Sequence, residues 1–105
     1  MSNKNCTPCI EGSDPASLEY AQLRLQDLKG WYLFSNNTKI KKDYQFKDFL
    51  ETLDFVNKVA KIAEEQGHHP DIYFTYGKCS IEIFTHKINN LHENDFILAS
   101  KIEEI

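Results

Sequence analysis

The sequence predicts an α+β sandwich, a four-stranded antiparallel sheet with three helices packed on one face in the order α-β-β-α-β-β-α. Three observations carry that expectation. Residues 31–46 set a short aromatic run and an alternating run on either side of a turn signal, and residues 72–86 alternate on both sides of another, so each stretch reads as a hairpin. Between them, Phe49, Leu50, Leu53, Val56, Ala60 and Ala63 recur at helical spacing. Shorter helical patterns flank the two hairpins at residues 18–28 and 96–102.

Taken in order, residues 1–15 hold Pro8, Gly12 and Pro15 without apolar periodicity and read as an N-terminal tail, leaving 16–105 as a single domain. Ser13 or Asp14 ahead of Pro15 is the expected start of the first helix. Leu18, Ala21, Leu25 and Leu28 then form its stripe as far as Lys29-Gly30. Trp31 to Phe34 is a short aromatic strand. Asn36-Asn37 marks a turn whose type is open, because it lacks glycine, and Ile40 to Phe46 alternates as the partner strand. Asp48 followed by Glu51 has capping-box spacing and opens the long helix, whose stripe is widened by Phe55, Val59 and Ile62. So broad a face implies either deep burial or packing against another subunit. Gly67 stops the helix, and Pro70 pushes His69 toward extended backbone, so the chain passes straight into a strand. Ile72 to Tyr76, the Gly77 turn and Cys79 to Thr85 make the second hairpin, with Ser80, Glu82 and His86 on its polar face. Asn94 or Asp95 is the expected cap of a last helix carrying Phe96, Ala99 or Ser100, and Ile102.

Composition removes several function classes. The chain has 105 residues, 41% hydrophobic and 12% aromatic, enough for one real core. A net charge of −4 argues against phosphate-driven nucleic-acid binding. No apolar run approaches a membrane span, and the polar start Met1-Ser2-Asn3-Lys4-Asn5 is not a signal peptide, so the expected compartment is cytoplasmic. Cys6 and Cys9 have Cys-x-x-Cys spacing. A structural zinc site needs a second such pair and a redox motif needs a strand before it, so an incidental or tail-capping role is expected instead.

The candidate chemistry lies in Glu64 to Pro70. His68 and His69 are neighbours and point to different sides of an extended chain, so one can face a pocket while the other packs elsewhere. Histidine is the side chain best suited to proton exchange near neutral pH. Glu64, one helical turn before His68, is placed to hydrogen-bond that imidazole and hold its tautomer. Neighbouring histidines do not converge easily on one metal, and His-Glu-x-x-His, glycine-rich phosphate loops, nucleophile elbows and dinucleotide fingerprints are all missing from the sequence. The expectation is acid–base chemistry with no metal and no cofactor.

The ordered set Gly30-Trp31, Phe46-Lys47-Asp48-Phe49, Glu64 before His68-His69-Pro70, Phe74 and Tyr76, Thr85-His86, and Leu91 and Asp95 before Phe96-Ile97-Leu98-Ala99 resembles the pterin-4a-carbinolamine dehydratase family. The match covers nearly all of the chain from residue 16 on, and the Cys6/Cys9 arm resembles that of bacterial members. The resemblance implies removal of water from 4a-hydroxytetrahydropterin to give the quinonoid dihydropterin, recycling the cofactor of aromatic amino-acid hydroxylases. It implies His68 and His86 as the acid–base pair, the assignment between them open, with Glu64 as orienter. It also implies substrate contacts from His69, Pro70 and Thr85, Asp95 as either a support or a substrate contact at the last helix, and a homodimer or homotetramer. Ile72 stands where animal members carry Trp, and Gly67 where others have a polar residue; neither removes a proton-transfer group. The competing expectation is a non-enzymatic dimerisation cofactor or assembly chaperone on the same fold. A small metal protein using Cys6, Cys9 and the histidines is the third.

Overall fold

The observed order of elements is the expected one: α1 (Leu18–Leu25), β1 (Tyr32–Phe34), β2 (Lys39–Gln45), α2 (Phe49–Gln66), β3 (Asp71–Thr75), β4 (Lys78–Ile83) and α3 (Glu93–Ile102). The structure is a computed structural model and describes residues 4–7 and 14–105. The strands form one antiparallel sheet in the order β1-β2-β4-β3, so the two hairpins join through β2 and β4.

Alternation along the strands sorts the two sheet faces. Ile40, Cys79, Ile81 and Ile83 turn inward and are buried with Val59 of α2 and Phe96, Leu98 and Ile102 of α3. On the outer face Lys39 and Lys41 each approach Glu82 to 3.7 Å, and Asp43 accepts hydrogen bonds from Tyr32 (2.7 Å) and Ser80 (2.6 Å). Cross-strand pairing of opposite charges holds this open face in register. Beneath the sheet, Trp31 Nε1, Lys42 Nζ and Tyr44 Oη all donate to Glu103 Oε1, at 2.9, 2.8 and 3.0 Å.

Three local readings are corrected. Helix α1 is capped by Ser17, whose side chain accepts from the Tyr20 amide, not by Asp14 or Ser13, the latter outside the described residues. It ends at Leu25, and Gln26 to Gly30 follow as turns, because the Leu28 contact is met without continuing the helix. The cap of α3 is His92, not Asn94 or Asp95: His92 Nδ1 accepts from the Asn94 amide, and Asp95 reaches back to the His92 amide.

The weight of burial is also distributed differently from the sequence pattern. In α3, Asn94 through Ala99 are all buried, so this helix is enclosed on every side. In α2 only Thr52, Val59 and Ala63 are buried, and Phe49 and Leu50 are exposed. The residues that widen the stripe do face the core, Val59 fully buried with Phe55 and Ile62 packed against it, and the uncovered part is Phe49, Leu50 and Ala60. Three successive residues of the first hairpin turn, Ser35, Asn36 and Asn37, have positive φ, which answers the turn left open by the absence of glycine.

Candidate active site

The site begins at the helix stop. Gly67 is left-handed (φ +63°), and the amides of Gly67 and His68 close onto the carbonyls of Glu64 and Ala63. The chain then runs through His68-His69-Pro70 into β3. Asp71, the first residue of β3, pairs with Glu82 near the end of β4. The end of β4 and the start of β3 thus share one edge of the sheet. A tight loop, closed by paired backbone contacts between Thr85 and Asn90, returns the chain to the first turn of α3 at the same place.

Asp95, fully buried in that first turn, organises the centre. Its Oδ1 lies 2.6 Å from His68 Nε2. Its Oδ2 accepts from the Thr85 hydroxyl (2.9 Å) and the His92 amide (2.8 Å). A carboxylate at the N-terminus of a helix is favoured by the helix dipole and by the free amides there. As an acceptor, it places the ring proton of His68 on Nε2 and leaves Nδ1 as the nitrogen open to a ligand.

A cavity of about 410 Å³ opens above this centre, within the size range of small-molecule sites. Its walls include His68, His69, Thr85 and His86. His86 is exposed, packs on Phe84 with ring centroids 4.2 Å apart, and lies 3.9 Å from Asp71 Oδ1. His68, His69, Thr85 and His86 therefore line one cavity. Glu64, Pro70 and Asp95 are not part of the cavity wall. Glu64 does not meet His68: its Oε1 lies 3.2 Å from His69 Nε2, with both side chains largely exposed. The carboxylate on His68 is Asp95, whose support role the resemblance had implied as one of two possibilities.

The remaining walls come from residues that sequence reasoning did not place there: Cys6, Thr7, Gln66, Gly67, Lys87 and Asn94. Cys6 Sγ donates to the Asn94 carbonyl at 3.6 Å, and burial, with the Asp95 charge second, pushes its thiol up to about 11. Cys9 lies outside the described residues. No group of three His, Cys, Asp or Glu among the described residues is arranged to hold a metal ion. His92 had a usable signal, a hydrogen-bonding side chain three residues before Asp95, which is capping-box spacing. Cys6 and Thr7 had none, because their placement rests on contacts with residues 60 or more positions away.

Fold and cavity together define a small α+β domain with an imidazole-lined pocket of small-molecule size. The chain belongs to the family described as pterin 4 alpha carbinolamine dehydratase, whose model matches residues 14–105. It is 46% identical to a Methylococcus capsulatus protein over 105 residues, covering all of this chain and 92% of that one. It is 44% identical to a Rickettsia canadensis protein over 103 residues, 98% of this chain and 94% of that one. Both carry the description "Putative pterin-4-alpha-carbinolamine dehydratase". Among solved structures, a transcriptional coactivator/pterin dehydratase from Brucella melitensis superposes with a TM-score of 0.81 at 26% identity, covering 87% of this chain and 97% of that one. A pterin dehydratase-like RuBisCO assembly factor of the alpha-carboxysome shares the fold, with a TM-score of 0.62 at 22% identity over 71% of this chain and 87% of that one.

Proposed function

We propose that this pocket removes water from a 4a-hydroxytetrahydropterin to give the quinonoid dihydropterin by imidazole acid–base catalysis. The observation that carries the reading is the convergence of His68 and His86 on one cavity, with His68 Nε2 held 2.6 Å from the buried Asp95. With Nε2 committed to Asp95, His68 Nδ1 is the base that takes the N5 proton. His86, at the open rim, donates a proton to the departing 4a-hydroxyl. The C4a–O bond breaks, the electrons of the N5–H bond become the new C4a=N5 bond, and water leaves. The two imidazoles have then exchanged protonation states and are reset through solvent. His69 contacts the pterin edge from the other wall, Thr85 acts by holding Asp95, and Pro70 fixes the approach of the chain. Glu64 is assigned to orienting His69. A cytoplasmic location, and a place in recycling the pterin cofactor of an aromatic amino-acid hydroxylase, belong to the same reading.

The test is dehydration of synthetic 4a-hydroxytetrahydropterin by purified protein, followed against the spontaneous rate. Acceleration by the wild type, and its loss in His68→Ala and His86→Ala, is expected. A rate equal to the spontaneous one, or an unchanged rate in His86→Ala, overturns the mechanism.

A second reading, a partner-binding module, is favoured by one observation. Leu50 is 74% exposed beside Phe49 and Phe74, themselves exposed with their rings 5.8 Å apart, so among the described residues an apolar patch at the start of α2 is left uncovered. The coactivator half of the Brucella protein's name supports it too. We read this face as the homodimer or homotetramer contact of an enzyme, since a pure scaffold has no use for the histidine pocket.

A further inference from the structure

The N-terminal arm was expected to be a tail, yet each of residues 4–7 is tied to the end of α2 or the start of α3. Thr7 N–H donates to Asn94 Oδ1 (2.9 Å), and Asn94 Nδ2 donates back to the Thr7 carbonyl (2.6 Å), so one side-chain amide pairs with one backbone residue as a strand neighbour would. Cys6 N–H donates to Gln66 Oε1 (2.8 Å), and Gln66 Nε2 donates to Asn5 Oδ1 (3.3 Å). Lys4 Nζ lies 2.8 Å from Glu93 Oε2. The anchors, Gln66 at the end of α2 and Glu93 and Asn94 at the start of α3, flank the residues that carry His68 and Asp95.

Asn94 is the informative member. It is 2% exposed, and a buried amide without partners is costly. Here its oxygen and nitrogen are both matched by Thr7, so the amide is committed to the arm and not to a bound ligand. Cys6 and Thr7 in turn line the same cavity as His68, Thr85 and His86. A neutral, half-buried thiol there acts as a small apolar wall and not as a nucleophile.

Resting on the function proposed above, we infer that the Lys4–Thr7 arm is a specificity-determining wall of the pterin pocket, and that Asn94 is a positioning residue that sets substrate affinity by holding it. The wall closes over the ligand and takes no part in proton transfer, so its contribution belongs to binding of substrate and transition state alike.

The test uses full-length protein carrying Thr7→Pro, which removes the amide that Asn94 accepts from while leaving the core intact, and Asn94→Asp, which sets an acceptor against the Thr7 carbonyl. Two readouts are taken: KM and kcat for dehydration, and the Kd of biopterin from quenching of its own fluorescence, which needs no turnover. In Thr7→Pro we expect KM and Kd to rise together by about three- to tenfold, the loss of one or two hydrogen-bonded contacts, with kcat within about twofold of wild type. The melting temperature should fall by about 5–15 °C, because buried Asn94 Oδ1 loses its donor, so both readouts are taken well below it. Unchanged KM and Kd in Thr7→Pro, or a fall in kcat at constant KM, overturns the inference. Wild-type protein that binds biopterin without dehydrating the substrate sinks the proposed activity alone, and the Kd comparison still decides the arm. Failure of wild-type protein to bind biopterin overturns both.

Discussion

Replacing Asp95 by Asn is the most discriminating perturbation of the site, because it preserves shape while reversing one hydrogen bond. Asp95 Oδ2 serves two donors, the Thr85 hydroxyl and the His92 amide, and Oδ1 serves His68 Nε2. An asparagine keeps its carbonyl toward the two fixed donors and turns its amide nitrogen to His68. The imidazole must then accept at Nε2 and carry its proton on Nδ1, the nitrogen needed as base. General acid–base assistance contributes about 10²–10⁴ in rate, so kcat should fall by at least about a hundredfold, roughly 3 kcal/mol of barrier. Stability should suffer less. Exchanging charge-assisted for neutral hydrogen bonds at a buried position costs about 1–2 kcal/mol, a fall in melting temperature of roughly 5–15 °C for a domain of this size. Asp95→Ala strands the Thr85 hydroxyl and His92 amide and should cost about 2–5 kcal/mol. The assay is single-turnover dehydration at saturating pterin, with thermal unfolding by circular dichroism on the same samples. If Asp95→Asn keeps kcat within about threefold of wild type while its melting point drops, Asp95 is structural only and the tautomer argument is wrong.

Further outcomes follow from the same geometry. Glu64→Gln breaks only an exposed contact with His69, so its melting temperature should stay within about 2 °C of wild type and its kcat far closer to wild type than that of Asp95→Asn. A large kcat loss would restore Glu64 to the centre of the site. Glu103→Ala leaves the buried Trp31 N–H without its acceptor and should cost about 1–3 kcal/mol in urea unfolding. Burial alone would raise the Glu103 pKa, but hydrogen bonds from Lys42, Trp31 and Tyr44 outweigh it and hold the carboxyl below its ordinary value of 4.5. Its charge therefore stabilises the fold above pH of about 4.5 and loses that effect as pH falls toward the lowered value, so wild type and Glu103→Gln should differ at pH 7 and converge in acid. Leu50→Asp, at a largely exposed position, should leave the monomer fold intact and lower the mass seen by light scattering. An unchanged mass would exclude α2 as the subunit contact.

The sequence by itself determined what short-range physics controls. Period-two alternation made the strands and assigned Ile81 and Ile83 inward, with Ser80 and Glu82 outward. Gly67 supplied the left-handed stop, Pro70 the extended exit, and the adjacency of His68 and His69 their divergence. Each signal is steric or periodic and acts within one turn or one strand, so it survives without knowledge of the rest of the chain. Even there, the ends of elements slipped: a histidine cap such as His92 competes with the commoner Asn94 and Asp95 only once the path of the backbone is known. What the tertiary structure alone decided is who meets whom. His68 and Thr85 meet on the two oxygens of Asp95, which the short return loop and α3 bring to His68 from 27 residues away in sequence. The nearer carboxylate, Glu64, points outward from the last turn of α2 and reaches only His69. The docking of Thr7 on Asn94, 87 residues apart, is settled the same way, because hydrogen-bond partners at that separation are chosen by the packed sheet and helices and leave no periodic trace.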